Sequence, residues 1–108
     1  MSASQLMTRT ERITHAVFEA MDDINRMRAK NQRLEPSLDA ALMGPSSPLD
    51  SLALVNLIVA IEERVEEAFG VSISIADERA RSQPDSPFAS VRTLVGYIDS
   101  LLEGRVDG

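Results

Sequence analysis

Residues 49–71, LDSLALVNLIVAIEERVEEAFGV, follow a proline-rich stretch and hold no Pro or Gly before Gly70. Asp50 or Ser51 offers a side-chain oxygen to cap a helix start, and Gly70 suits the left-handed residue that ends one. A helix from Leu52 to about Phe69 is predicted. At 100° per residue, Leu54, Leu57, Ile58, Ile61, Val65, Ala68 and Phe69 share one wide sector, the face turned to a core. Opposite them lie Leu52, Val55 and Val59, interleaved with Asn56, Glu62, Glu63, Glu66 and Glu67. One buried face suffices for a helix. The second stripe either packs beneath the preceding loop or stays exposed for a partner, with its acidic neighbours steering a basic surface.

Before this segment, Leu6, Ile13, Val17, Ala20, Met21, Ile24 and Met27 recur at three- and four-residue spacing, which predicts a long first helix from Gln5 to Arg33. Arg26, Arg28, Lys30 and Arg33 suit the negative end of its dipole, and Pro36 blocks continuation. Residues 34–50, LEPSLDAALMGPSSPLD, read as a long connecting loop, with Leu38, Leu42, Met43 and Leu49 available to pin it to the core. After the central helix, VSISI over 71–75 alternates like a strand. With no second strand to pair with, it is read as an extended connector. A short third helix is expected over Asp77–Arg81, followed by the loop SQPDSP. Ser90 caps a last helix carrying Val91, Leu94, Val95, Ile98, Leu101 and Leu102 on one face, closed by Gly104. The whole chain of 108 residues therefore reads as one all-α domain with an ordered core over about 5–103, a four-helix bundle of three long helices, one short helix and a long first loop.

Composition narrows the chemistry. The absence of cysteine removes disulfides, thiolate metal sites and a cysteine nucleophile, so any thiol must arrive on a cofactor. The single histidine, His15, lies within the helical pattern of Ile13, Ala16 and Val17 and is given no site role. A net charge of −6 disfavours nucleic-acid phosphate, and its unevenness concentrates acid after Ser51: residues 50–70 sum to −4 whereas 1–34 sum to +2. No apolar run is long enough to span a membrane, and the first residues have no apolar signal core, so a cytoplasmic protein is expected.

Ser51 sits where the prolyl loop meets a helix N-terminus. Backbone N–H groups and the positive end of the dipole favour an anion there, so a phosphate ester on the hydroxyl would be stabilised. Asp50 beside it serves to orient the hydroxyl, to cap the helix, or to hold a divalent ion during phosphoryl transfer. By itself a Ser after an Asp at a helix start is a capping pattern. The longer run PLDSLALVNLIVAIEERVEEAFGVSIS, however, resembles the central segment of acyl and peptidyl carrier proteins, in which an Asp-Ser-Leu run opens an acidic second helix ending in Phe-Gly. The closing FASVRTLVGYI is similar to the start of that family's last helix, and the layout with a long first loop is shared. The likeness extends over roughly residues 5–102, with its specific part at 49–71.

The resemblance implies that Ser51 accepts a covalent 4′-phosphopantetheine arm, that Asp50 is the acid beside it, and that Leu52, Val55, Asn56, Val59, Glu62 and Glu63 meet partner enzymes. It further implies that Leu54, Leu57, Ile58 and Ile61 line an interior where some carriers shelter an acyl chain. Such a protein is a monomeric, non-catalytic shuttle. Its partners are a phosphopantetheinyl transferase, an acyl- or aminoacyl-adenylating ligase and a synthase or transferase that consumes the cargo. Leu49 stands where the family often has Gly, Ala53 and Asn56 stand where fatty-acid carriers usually have acids, and RARSQPDSPF is a longer link than usual. These departures favour a stand-alone carrier in a specialised lipid or secondary-metabolite pathway. FASVRTLV leans towards aminoacyl, D-alanyl or peptidyl cargo. The contrasting possibility is a non-covalent helical adaptor in which Ser51 is only an N-cap and Leu52, Val55 and Val59 form a dimer or docking face.

Overall fold

A computed structural model describes residues 8–45, 47–75 and 86–105. These form three α-helices, α1 (Arg9–Asn25), α2 (Ser51–Phe69) and α3 (Val91–Leu102), with one 3-10 turn at Lys30–Gln32. Among the described residues there is no strand, and an isolated antiparallel bridge joins Ala41 and Ser90. The predicted short helix over Asp77–Arg81 lies outside the described residues.

α1 starts later and stops earlier than its apolar spacing suggests. Thr8 caps it in extended conformation, with Glu11 completing a capping box, so α1 begins at Arg9, and the predicted stretch over 5–7 lies outside the described residues. It ends at Asn25, not near Arg33, because the Asn25 side chain takes over the backbone of a later residue. Its Oδ1 accepts the Leu34 N–H at 2.8 Å and its Nδ2 donates to the Leu34 carbonyl at 2.9 Å. That reciprocal pair folds the chain back and buries Leu34. Met27, assigned to the apolar stripe by spacing, falls beyond the helix and is 78% exposed.

The loop between α1 and α2 is held down by Leu34 and Leu42, which are buried, with Leu38 and Leu49 partly so. Met43, a fourth expected anchor, remains exposed. Backbone pairing fixes the rest. The Ala40 and Leu38 carbonyls accept from Val91 N–H at 3.0 Å and Arg92 N–H at 2.8 Å, two first-turn donors that α3 has no means of satisfying itself. Ser90 and Thr93 add a capping box. The loop thus seals the N-terminus of α3.

α1 is the central element, packed against both α2 and α3. Its Ile13, Ala16, Val17, Ala20 and Met21 share one core with Leu57, Ile58, Ile61 and Val65 of α2 and Leu94, Ile98 and Leu102 of α3. The stretch 71–75 is neither helix nor strand, and it buries Ile75 completely. No helix among the described residues is long and apolar enough to cross a membrane.

Candidate functional site around Ser51

Local chemistry places Ser51 at the first helical position of α2. Asp50 is the cap: its backbone is extended, its Oδ1 accepts the Ala53 N–H at 2.8 Å, and its carbonyl accepts the Leu54 N–H at 2.9 Å. The choice between Asp50 and Ser51 left open by the sequence is thereby resolved, and the Ser51 side chain is exposed rather than committed to the cap. Helix geometry leaves the N–H groups of Ser51 and Leu52 without intrahelical acceptors, which makes this end attractive to an anion. At the far end Gly70 adopts φ +73°, and its N–H closes on the Glu66 carbonyl at 2.8 Å.

The two faces of α2 separate as their angular positions require. Leu57, Ile58, Ile61 and Val65 are buried, and Leu54 and Phe69 partly so. Ala68 is exposed, whereas Ala53, which was not on the predicted core face, is buried. On the opposite side Leu52, Val55 and Val59 are 71%, 54% and 48% exposed. The prolyl loop does not cover them. Asn56 and Glu63 are exposed beside this stripe. Glu62 is partly buried and is engaged within the chain, its Oε2 accepting the Ile75 N–H at 2.8 Å and so fastening the 71–75 connector to α2.

The electrostatics near Ser51 differ from those further along the helix. The first turn of α2 holds no acid, and its carboxylates begin at Glu62. A cation also reaches the loop: Arg28 donates from Nη2 to the Pro48 carbonyl at 3.0 Å and from Nε to the Gln32 carbonyl at 2.8 Å, tying the segment 26–33 to the chain that leads into Ser51. This contact is not legible in the sequence, where the four cations suggest only an interaction with a helix dipole.

Two further arginines fasten the C-terminal half of α2 to α1. Arg64 of α2 reaches Asp23 of α1 through Nε at 3.0 Å and Nη2 at 2.7 Å, with Glu19 and Glu67 nearby. The hydrogen bond to Asp23, against a smaller opposing effect of desolvation, raises the Arg64 guanidinium above its ordinary range. Arg12 lies 4.3 Å from the centroid of the Phe69 ring and donates to the Ala68 carbonyl, holding the C-terminal end of α2 against α1. His15 is exposed and faces Glu19 at 3.3 Å. No cluster of His, Asp and Glu among the described residues is arranged to hold a metal ion. Comparison of the chain with protein-family models, with curated proteins and with solved structures finds no match.

Proposed function

We propose that the chain is an acyl carrier protein that carries a thioester-bound acyl or aminoacyl cargo on a 4′-phosphopantetheine arm at Ser51. The fold in this proposal is the four-helix carrier bundle, with its short helix over Asp77–Arg81, working in the cytoplasm. The observation that carries it is the placement of Ser51. The residue is exposed at the first position of α2, beside a carboxylate already oriented by the backbone, on a run similar to the carrier attachment segment. Capping, the alternative role for this hydroxyl, is occupied by Asp50.

In the loading step the Ser51 Oγ attacks the pantetheine-linked phosphorus of coenzyme A. The Oγ–P bond forms, the bond to the adenosine bisphosphate leaving group breaks, and the serine proton passes to a base on the transferase. The product is a phosphodiester whose negative charge sits at the positive end of α2. The thiol that the cysteine-free chain lacks then arrives at the end of the arm. Adenylating and cargo-consuming enzymes meet it across Leu52, Val55, Asn56, Val59 and Glu63, with Glu62 contributing from the edge. Uncharged Ala53 and Asn56 near the attachment point favour partners outside ordinary fatty-acid synthesis, in a specialised lipid or secondary-metabolite pathway.

Incubation with coenzyme A, Mg²⁺ and a broad-specificity phosphopantetheinyl transferase tests the reading. Intact mass spectrometry is expected to show one added phosphopantetheinyl group on the wild type and none on Ser51→Ala. An unmodified wild type, or equal modification of the variant, excludes it.

A further inference from the structure

We infer that Arg28 is a positioning residue for the loading of Ser51: its guanidinium holds the 44–50 end of the prolyl loop in the form that a phosphopantetheinyl transferase has to meet. The inference rests on the carrier reading, and it adds a residue that the sequence marks only as one cation among four.

The loop between α1 and α2 is fastened unevenly. Its first part buries Leu34 and Leu42 and pairs with the start of α3 through the Leu38 and Ala40 carbonyls. From Gly44 onward these fastenings stop. Gly44, Pro45 and Pro48 are exposed, and Leu49 is partly buried against the core. The Ser47 N–H donates to the Gly44 carbonyl at 3.1 Å and the Leu49 N–H to Ser47 Oγ at 3.1 Å, so both bonds shape the segment from within. Pro48 borders a hollow of about 310 Å³ shared with Arg33, Leu34 and Asp39, which leaves it without close packing on that side. Among the described residues, the hydrogen bond that ties 44–49 to another part of the chain is the one from Arg28 Nη2 to the Pro48 carbonyl, at 3.0 Å.

Arg28 makes that bond from a fixed base. Its N–H donates to the Asn25 carbonyl at 3.1 Å, and its own carbonyl accepts Arg33 Nε at 3.2 Å. Its Nε donates to the Gln32 carbonyl at 2.8 Å. One planar guanidinium therefore bridges two carbonyls from separate segments, and its rigid fork limits where Pro48 can lie. Leu49 and Asp50 follow directly, and Asp50 caps the helix that Ser51 opens.

For transfer, the Ser51 Oγ has to come within about 3.5 Å of the phosphorus. An enzyme that reaches so close covers the chain on both sides of the serine, the start of α2 and the run Pro48–Asp50. A loop already held in place docks without an ordering cost, whereas a released loop is ordered at the encounter, which weakens binding of the carrier. Once it is docked, the geometry at Ser51 is set by α2 and its cap. Loss of the Arg28 bond should therefore raise KM for the carrier and leave kcat unchanged.

Arg28→Met keeps the aliphatic stem and removes the donors. Arg26→Met takes the same charge from the same segment, from a guanidinium that pairs with Asp23 at 3.2 Å instead of the loop. Initial rates of arm transfer from coenzyme A at varied carrier concentration should show KM for Arg28→Met raised about three- to tenfold, kcat unchanged, and Arg26→Met like the wild type. Before loading, the backbone ¹H–¹⁵N NOE at Ser47 and Leu49 should fall in Arg28→Met alone, while values within α1 and α2 stay as in the wild type and show the variant to be folded. A KM for Arg28→Met equal to that of the wild type overturns the inference and leaves the carrier reading standing. So do an equal rise in Arg26→Met, which would make charge the cause, a fall in kcat without a change in KM, or unchanged NOE values at Ser47 and Leu49. A wild type that accepts no arm removes the carrier reading itself, and the part of Arg28 in loading with it.

Discussion

At the residue scale, Asp50 and Ser51 are neighbours with opposite structural standing. Asp50 satisfies the Ala53 N–H of the first turn and places a carboxylate at the positive end of α2. Removing it in Asp50→Ala leaves that donor without its side-chain acceptor and should cost about 1 kcal/mol of stability. Ser51 is exposed at the first helical position, so Ser51→Ala should change stability by no more than about 0.5 kcal/mol. Urea titration followed by circular dichroism separates the two. A Ser51→Ala loss as large as that of Asp50→Ala would mean that the serine hydroxyl serves the fold after all. This pair of variants also dissociates stability from loading, since the proposed function requires Ser51→Ala to be folded and unmodified.

At the element scale, α2 shows how differently adjacent apolar residues are used. Ile61 is completely buried, while Val59, two residues earlier, is 48% exposed. Ile61→Ala should therefore cost about 2–5 kcal/mol, whereas Val59→Ala should stay within about 0.5 kcal/mol. Comparable losses at the two sites would mean that the stripe is covered within the monomer. The helix was legible because its signals are local: an Asp at the start, a Gly at the end, and no breaker between. Its core face was legible for Leu57, Ile58, Ile61 and Val65. Angular position alone does not mark Ala53, which becomes buried because the small side chain lies at the edge of the packed sector near the loop. The end of α1 was not legible, since the decisive contact joins Asn25 to Leu34 across a turn. The run of cations that followed Asn25 suited a helix end equally well a turn or two later. For the same reason Met27 was assigned to a stripe that stops before it. Ser51 was legible as a position, and the exposure of Leu52, Val55 and Val59 was legible only as one of two possibilities, because whether a loop covers a face depends on where the loop goes.

At the scale of the whole molecule, α1 is the element on which the others depend. α2 and α3 both pack on it, and two ion pairs repeat that connectivity: Arg64 to Asp23 joins α2 to α1, and Arg9 to Asp99 at 2.6 Å joins α1 to α3. The groups are partly exposed, so each pair contributes little to stability and serves mainly to set register. Opening the middle of α1 breaks both interfaces at once. Opening the last turn of α3 breaks one, and releasing the 34–50 loop breaks its pairing with the N-terminus of α3 and uncovers Leu34 and Leu42. Local stability should follow that hierarchy, because the free energy of an opening is set by the contacts it disrupts. In native-state hydrogen exchange, the amides of Val17, Ala20 and Met21 should exchange only through global unfolding, with the full denaturant dependence of the folded state. Amides at the C-terminal end of α3 should exchange by a smaller opening that denaturant affects less. If the centre of α1 exchanged faster than α3, or with a shallower denaturant slope, α1 would not be the hub, and α2 and α3 would have to be held together by contacts other than those through α1.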